Sequence, residues 1–338
     1  MNIVTLGIDL AKNVFHLHGV DEFGKVRLQK VVKRNNLAKV MANLPPCLVG
    51  MEACGGAHHW ARTFREFGHD TRIINPQYVK PYVKTQKNDY NDAQAICEAV
   101  SRPHMHFVPV KEVEHQDILA LHRIRSRLVG SRTALVNQIR GLLAEYGIVM
   151  PQQIGQVRRQ VPGILEDAEN GLTDLFRESL SQLYEELGDA DARVDMMTNK
   201  INVACASNPD CQRLAKMRGV GPIGATALVA ALGDAKTFKN GRQVAAWLGL
   251  VPRQYSSGGK TVLLGITKRG DRYLRMLLIH GARSTVTTAA GKIDSHSRWI
   301  NALRKRRGFN KTCVAVANKN ARVAWALLTK EQQYKRAA

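Results

Sequence analysis

Apolar positions recur in two rhythms along the chain. In the first part, apolar runs of strand length alternate with turn residues and short helical patterns. Residues 3–9 read as a buried strand, 14–20 as a second, and 26–32 as an alternating third that follows the turn chemistry of Asp21-Glu22-Phe23-Gly24-Lys25. Helical spacing predicts a short helix over 37–44, stopped by Pro45-Pro46. A fourth strand is expected over 47–52, a helix over 58–67 and a fifth strand over 71–75. A helix over 92–100 buries Ala93, Ile96, Cys97 and Val100.

Three antiparallel strands followed by strands alternating with helices is the order of a ribonuclease-H-like α/β domain, expected over 1–110. From 111 the rhythm becomes helical. Ile118, Leu121, His122, Ile124, Leu128, Leu135, Ile139, Leu142 and Leu143 recur at helical spacing, with Arg123, Arg125, Arg127, Arg132 and Arg140 among them. A second helix over 172–203 is acidic in its first half. A long basic helix and a long acidic one, joined by the stretch 151–162, predict an antiparallel coiled-coil hairpin over 111–207. A third, mainly helical domain is expected over 208–338. In it, Gly219-Val220-Gly221 gives the helix-hairpin-helix signal, whose glycines let backbone N–H groups approach a phosphate; a tight interhelical turn has the same pattern.

Charge narrows the function. The 338 residues hold 50 lysines and arginines against 28 acids, a net charge of +22. A neutral metabolic enzyme is a poor fit, and a nucleic acid is the expected partner. The excess grows toward the C-terminus: from Thr261 onward the acids are Asp271, Asp294 and Glu331, against Arg269, Arg272, Arg275, Arg283 and the run Arg304-Lys305-Arg306-Arg307. With 44% hydrophobic and 23% charged residues the chain is expected to fold rather than stay disordered. Cys47, Cys54, Cys97, Cys205, Cys211 and Cys313 form no C-x-x-C pair, which fits reduced core thiols. No apolar run approaches the roughly 18 residues of a membrane span. With no signal-peptide pattern, a cytoplasmic, nucleoid-associated protein is expected.

Four acids stand out. Asp9 ends the first strand and Glu52 the fourth, while Asp89 and Asp92 lie at i and i+3 where a helix begins. In a ribonuclease-H-like sheet the first and fourth strands are neighbours, so all four carboxylates would converge. Such a set repels itself unless cations compensate, and Mg²⁺ or Mn²⁺ are the ions it suits. Two of these ions about 4 Å apart stabilise the attacking and leaving oxygens of a phosphodiester. Singly, each acid has a plainer reading; Asp9 could cap a turn and Asp89 a helix. His58-His59 and the His104-Met105-His106 triplet lack a ligand cluster, and Trp247 and Trp299 suit the core.

Gly7-Ile8-Asp9, Met51-Glu52-Ala53 and Asn88-Asp89-Tyr90-Asn91-Asp92-Ala93 resemble the DEDD insertion-sequence transposases, the IS one-ten family, whose N-terminal domain is RuvC-like. Gly219-Val220-Gly221 and Gly249-Leu250-Val251-Pro252, followed by Arg253 and a Ser-Gly, resemble that family's second domain, and the likeness covers nearly the whole chain. The resemblance implies a DNA recombinase acting on donor and target DNA, guided by a noncoding bridge RNA. It implies a catalytic serine at Ser257, with Ser256 an adjacent alternative. The acids and the serine lie on separate domains, so they meet only through domain closure or a composite site between protomers; the resemblance implies the composite site, in a dimer or tetramer. Arg253 and Lys260 flank the serine and could clamp phosphate oxygens, and Arg269 and Arg272 add to the basic surface. A resolvase-type nuclease using only the four acids and water is the competing reading. A non-catalytic nucleic-acid binder and an actin-like sugar kinase rank below it.

Overall fold

A computed structural model describes residues 2–84, 88–330 and 332–334; Glu331 lies outside them. The chain forms two compact units. The first is 1–113 with 232–237, and the second is 114–231 with 238–338.

The first unit is built on a six-stranded sheet in the order β3-β2-β1-β4-β5-β6. β1 (Thr5–Leu10), β2 (Val14–Val20) and β3 (Val26–Lys33) form an antiparallel meander. β4 (Leu48–Glu52) runs parallel to β1, and β5 (Asp70–Ile74) parallel to β4. β1 and β4 are therefore neighbours, as the ribonuclease-H-like reading requires. A short β6 (Phe107–Val108), absent from the sequence pattern, closes the edge antiparallel to β5.

The strands are buried on two faces. Leu6, Ile8, Leu17, Val49, Met51 and Ile73 pack against Leu37 and Met41 of α1 (Arg34–Ala42) and Trp60, Ala61 and Phe64 of α2 (Ala57–Glu66). On the other face, Ile74 packs with Val79 of α3 (Pro76–Val79) and with Ile96, Ala99 and Val100 of α4 (Asp89–Val100). α1 starts at Arg34 rather than 37, and α4 at Asp89 rather than 92, because their first turns are polar and carry no apolar periodicity. The Asn88 side chain caps α4 by accepting from the Tyr90 N–H, so the cap is Asn88 and not Asp89.

In the second unit, α5 (Val113–Glu145) and α7 (Asp174–Ser207) run antiparallel. Arg125 Nε donates to Thr198 Oγ1 (2.8 Å) and Arg132 Nη1 to Asp191 Oδ1 (2.8 Å), so numbers rise along one helix as they fall along the other. The stretch expected to be a mere connection is largely a helix, α6 (Ile154–Glu166), with Pro162 inside it. Proline has no N–H for the carbonyl of Arg158, four residues back, and the Tyr184 hydroxyl of α7 donates to that oxygen instead (3.1 Å). Val157 and Val161 join Leu135, Ile139, Leu143, Leu180 and Leu187 in one core.

The rest of this unit comprises α8 (Pro209–Ala215), α9 (Pro222–Leu232), α10 (Gly241–Trp247), α11 (Arg272–Thr287), α12 (Ser295–Arg307) and α13 (Phe309–Lys330). α13 touches α8, α10, α11 and α12 and buries Val316, Ala317, Ala321 and Ala324 among them. Arg269 precedes α11, which Asp271 caps through the N–H groups of Tyr273 and Leu274. β7 (Pro252–Gln254) and β8 (Leu263–Ile266) form a separate, mostly exposed hairpin. Among the described residues no helix is long and apolar enough to cross a membrane.

Candidate active site

Side chains two apart on a strand share a face. Gly7 and Asp9 are such a pair on β1, and Gly50 and Glu52 on β4, with Gly7 and Gly50 in register. The two glycines leave the sheet bare where α4 crosses it. A Cβ at position 7 would lie 2.2 Å from the Ala93 carbonyl oxygen, and one at position 50 would lie 2.7 Å from Val100 Cβ. The helix therefore rests on backbone, and its first turn is held at the strand ends, where Asp9 and Glu52 point to the same side.

Carboxylate oxygens of Asp9, Asp89 and Asp92 all lie within 4.8 Å of one another. Asp9 and Asp92 are half-buried and Asp89 is exposed. Glu52 is outside this trio but close to it. Burial, and then the charges of Asp9 and Asp92, push its pKa above the usual carboxylate range. Gathered carboxylates that repel one another are what a hard divalent cation relieves, and an all-oxygen donor set fits Mg²⁺ or Mn²⁺. Of the described residues, these three acids alone form a group of metal-ligand type.

One neighbour was missed by sequence reasoning. His16 of β2 is the register partner of Asp9. Its Nδ1 stands 3.8 Å from Asp89 Oδ2, and its ring meets Tyr90 edge-on. The signal lay in the meander: counting back from a turn between Leu10 and Val14 sets His16 opposite Asp9.

The serines lie in the second unit, on the β7–β8 hairpin. Ser257 and Lys260 bridge across Gly258-Gly259, whose φ angles of 54° and 76° make the two-residue turn that glycine favours. The two hydroxyls differ. Ser256 Oγ accepts from Val262 N–H (3.3 Å) and Gln254 Nε2 (2.9 Å), whereas the exposed Ser257 hydroxyl has no hydrogen-bond partner among the described residues. Arg253, Lys260, Arg269 and Arg272 are all exposed.

Gly219 and Gly221 part company. Gly219 has φ 77° and presses on α11, where an added Cβ would lie 2.5 Å from the Gly281 carbonyl oxygen. Arg218 secures the same turn: its Nη1 donates to Asp294 Oδ1 (2.9 Å) and its carbonyl accepts from Asn320 Nδ2 (3.0 Å). Hydrogen bonds from the Ser297 hydroxyl and N–H, with Arg218 beside them, hold the Asp294 carboxyl well below the usual range. Both the positive φ and the close approach of α11 call for glycine at 219. Gly221 is exposed at the start of α9, with open space around it.

His58 Nδ1 accepts from the Lys111 N–H (3.2 Å), and His106 packs on Tyr78. Trp247 and Trp299, expected in the core, are half-buried. Trp247 packs on Phe238, and Trp299 stacks with His296 and has the Lys319 ammonium 4.6 Å from its ring centroid.

Comparison with known proteins covers both units. Residues 6–148 match a DEDD transposase profile of IS110 type, and residues 211–297 match the profile "Transposase IS116/IS110/IS902 family". The chain is 50% identical over 334 residues to the transposase for insertion sequence element IS1111A of Coxiella burnetii, covering 99% of this chain and 92% of that one. It is 49% identical over 337 residues to a Pseudomonas aeruginosa protein named "Probable family 20 transposase", covering 99% of each. It is 40% identical over 330 residues to the transposase for element IS1328 of Yersinia enterocolitica, covering 97% of each.

Proposed function

The chain belongs to the IS116/IS110/IS902 family of transposases, and on that premise we propose that it cuts and rejoins the DNA of an insertion sequence through a phosphoserine link. Ser257 is the nucleophile, and Asp9, Glu52, Asp89 and Asp92 hold Mg²⁺ or Mn²⁺. The observation that carries this reading is the convergence of the Asp9, Asp89 and Asp92 carboxylates at the end of β1.

In the proposed step the Ser257 Oγ–P bond forms, the P–O3′ bond breaks and the hydroxyl proton ends on the freed 3′-oxygen. One phosphodiester is exchanged for another, so the strand can be resealed without a further energy source. A serine hydroxyl is a weak nucleophile, and a divalent cation at the carboxylates supplies charge stabilisation to the phosphate. Arg253 and Lys260 would grip phosphate oxygens, and Gly221 offers a helix N-terminus to the backbone of the nucleic acid. Ser256 supports the hairpin from within. We assign the large positive charge to two polyanions, the DNA and an element-encoded bridge RNA. The reading also requires the carboxylates and the serine to act on one phosphate, which we assign to a dimer or tetramer.

Excision of the element in cells, with its native flanks, tests this. Ser257→Ala and Asp92→Asn should each abolish excision and DNA breakage. The alternative is a hydrolytic nuclease of the resolvase type, favoured by the fact that the first unit alone holds every carboxylate hydrolysis needs. It predicts that Ser257→Ala still breaks DNA.

A further inference from the structure

We propose that His16 is a positioning residue of the carboxylate centre, which holds Asp89 in its cation-binding orientation through ring nitrogen Nδ1. This rests on reading the carboxylates as a cation site.

The three carboxylates are not equally constrained. Asp9 is fixed on β1, and Asp92 is half-buried in the first turn of α4. Asp89 is the first residue of that helix, and its side chain is 62% exposed. An exposed side chain loses more rotamer freedom when a cation fixes it, so it gains most from a second contact.

His16 supplies that contact. Strand β2 places it beside Asp9, and the edge-on Tyr90 ring, 4.9 Å away between centroids, limits its rotation. Its side chain is 14% exposed, and Nδ1 is buried with no hydrogen-bond partner among the described residues. A buried ring nitrogen without a partner is costly. The facing group is Asp89 Oδ2 at 3.8 Å, just beyond hydrogen-bond reach. A small turn of the exposed Asp89 side chain closes that gap, satisfying the nitrogen and orienting the carboxylate together. Carboxylates that bind metals are commonly held in this way by outer groups.

The test is Mn²⁺ binding to the purified full-length protein, followed by calorimetry and by the electron paramagnetic resonance of free Mn²⁺. His16→Phe keeps the ring edge against Tyr90 and removes the nitrogen. His16→Asn keeps a nitrogen at the Nδ1 position and removes the ring. The expected result is 10- to 100-fold weaker Mn²⁺ binding in His16→Phe, on the order of other outer-shell losses, with affinity within about threefold of wild type in His16→Asn. Circular dichroism melts check the fold. Should His16→Phe melt early, His16→Gln replaces it, since its amide nitrogen lies one bond too far along. Wild-type affinity in the Phe variant, or equal loss in the Phe and Asn variants, overturns the assignment. Asp92→Asn separates the two readings. If it leaves Mn²⁺ binding intact, the cation site itself fails, and the role of His16 with it. If it weakens binding while His16→Phe does not, only the role of His16 fails.

Discussion

Gly7 of β1 and Gly50 of β4 lie side by side in register, and both turn a missing side chain toward α4. That pairing decides how close the helix comes, and therefore whether Asp89 and Asp92 reach Asp9. Gly7→Ala puts a methyl group against helix backbone, which cannot rotate away. It should cost about 3 kcal/mol in urea unfolding, the upper part of the range for overpacked cores. Gly50→Ala meets Val100 Cβ at 2.7 Å, a milder overlap than the 2.2 Å at Gly7, and should cost less. Both should weaken Mn²⁺ binding although no carboxylate is altered, and Gly7→Ala should do so more.

His122 of α5 gives the second unit a pH dependence. It is 1% exposed, with Nδ1 3.0 Å from the Tyr273 hydroxyl and Nε2 2.9 Å from Thr226 Oγ1. Burial, helped by Arg125, pushes its pKa down to about 4 from 6.5. Between those values the unfolded chain binds a proton that the folded chain refuses. Stability should be full above pH 6.5 and fall by about 3 kcal/mol as pH drops toward 4. Urea unfolding across this range should show the loss in wild type, and His122→Gln should remove that part of the slope.

Tyr184 and Pro162 should be coupled. Tyr184→Phe leaves the Arg158 carbonyl without its donor and should cost about 1 kcal/mol. In a Pro162→Ala background the restored N–H serves that carbonyl, so the same change should cost much less. A double-mutant cycle by chemical unfolding reads the difference.

The two adjacent serines should separate cleanly. Ser256→Ala removes an acceptor of the Val262 N–H and should speed hydrogen exchange at that amide. Ser257→Ala should leave that amide unchanged.

How much of this was legible in the sequence follows from burial. β1, β2, β4 and β5 carry apolar runs bounded by turns, and their order put Asp9 and Glu52 on adjacent strand ends. The first turns of α1 and α4 are polar, so periodicity began those helices three residues late. The stretch 151–162 read as a connection, which hid α6, because the donor that makes Pro162 tolerable sits on another helix, at Tyr184. The β7–β8 hairpin is largely exposed and shows no burial rhythm; only Gly258-Gly259 signalled its turn. Gly219-Val220-Gly221 read as a phosphate approach or as a tight interhelical turn, and the close packing of Gly219 was hidden because its neighbour Gly281 lies 62 residues away, beyond any local pattern. His16 needed strand register as well as strand identity.

The central claim is that Ser257 forms the covalent link to DNA with the help of the carboxylates. Denaturing extraction from cells carrying the element, followed by peptide mass spectrometry, tests it most directly. The account predicts a DNA-linked peptide with the phosphate on Ser257, retained in Ser256→Ala and absent in both Ser257→Ala and Asp89→Ala. Broken DNA with no linked peptide, persisting in Ser257→Ala, would contradict it.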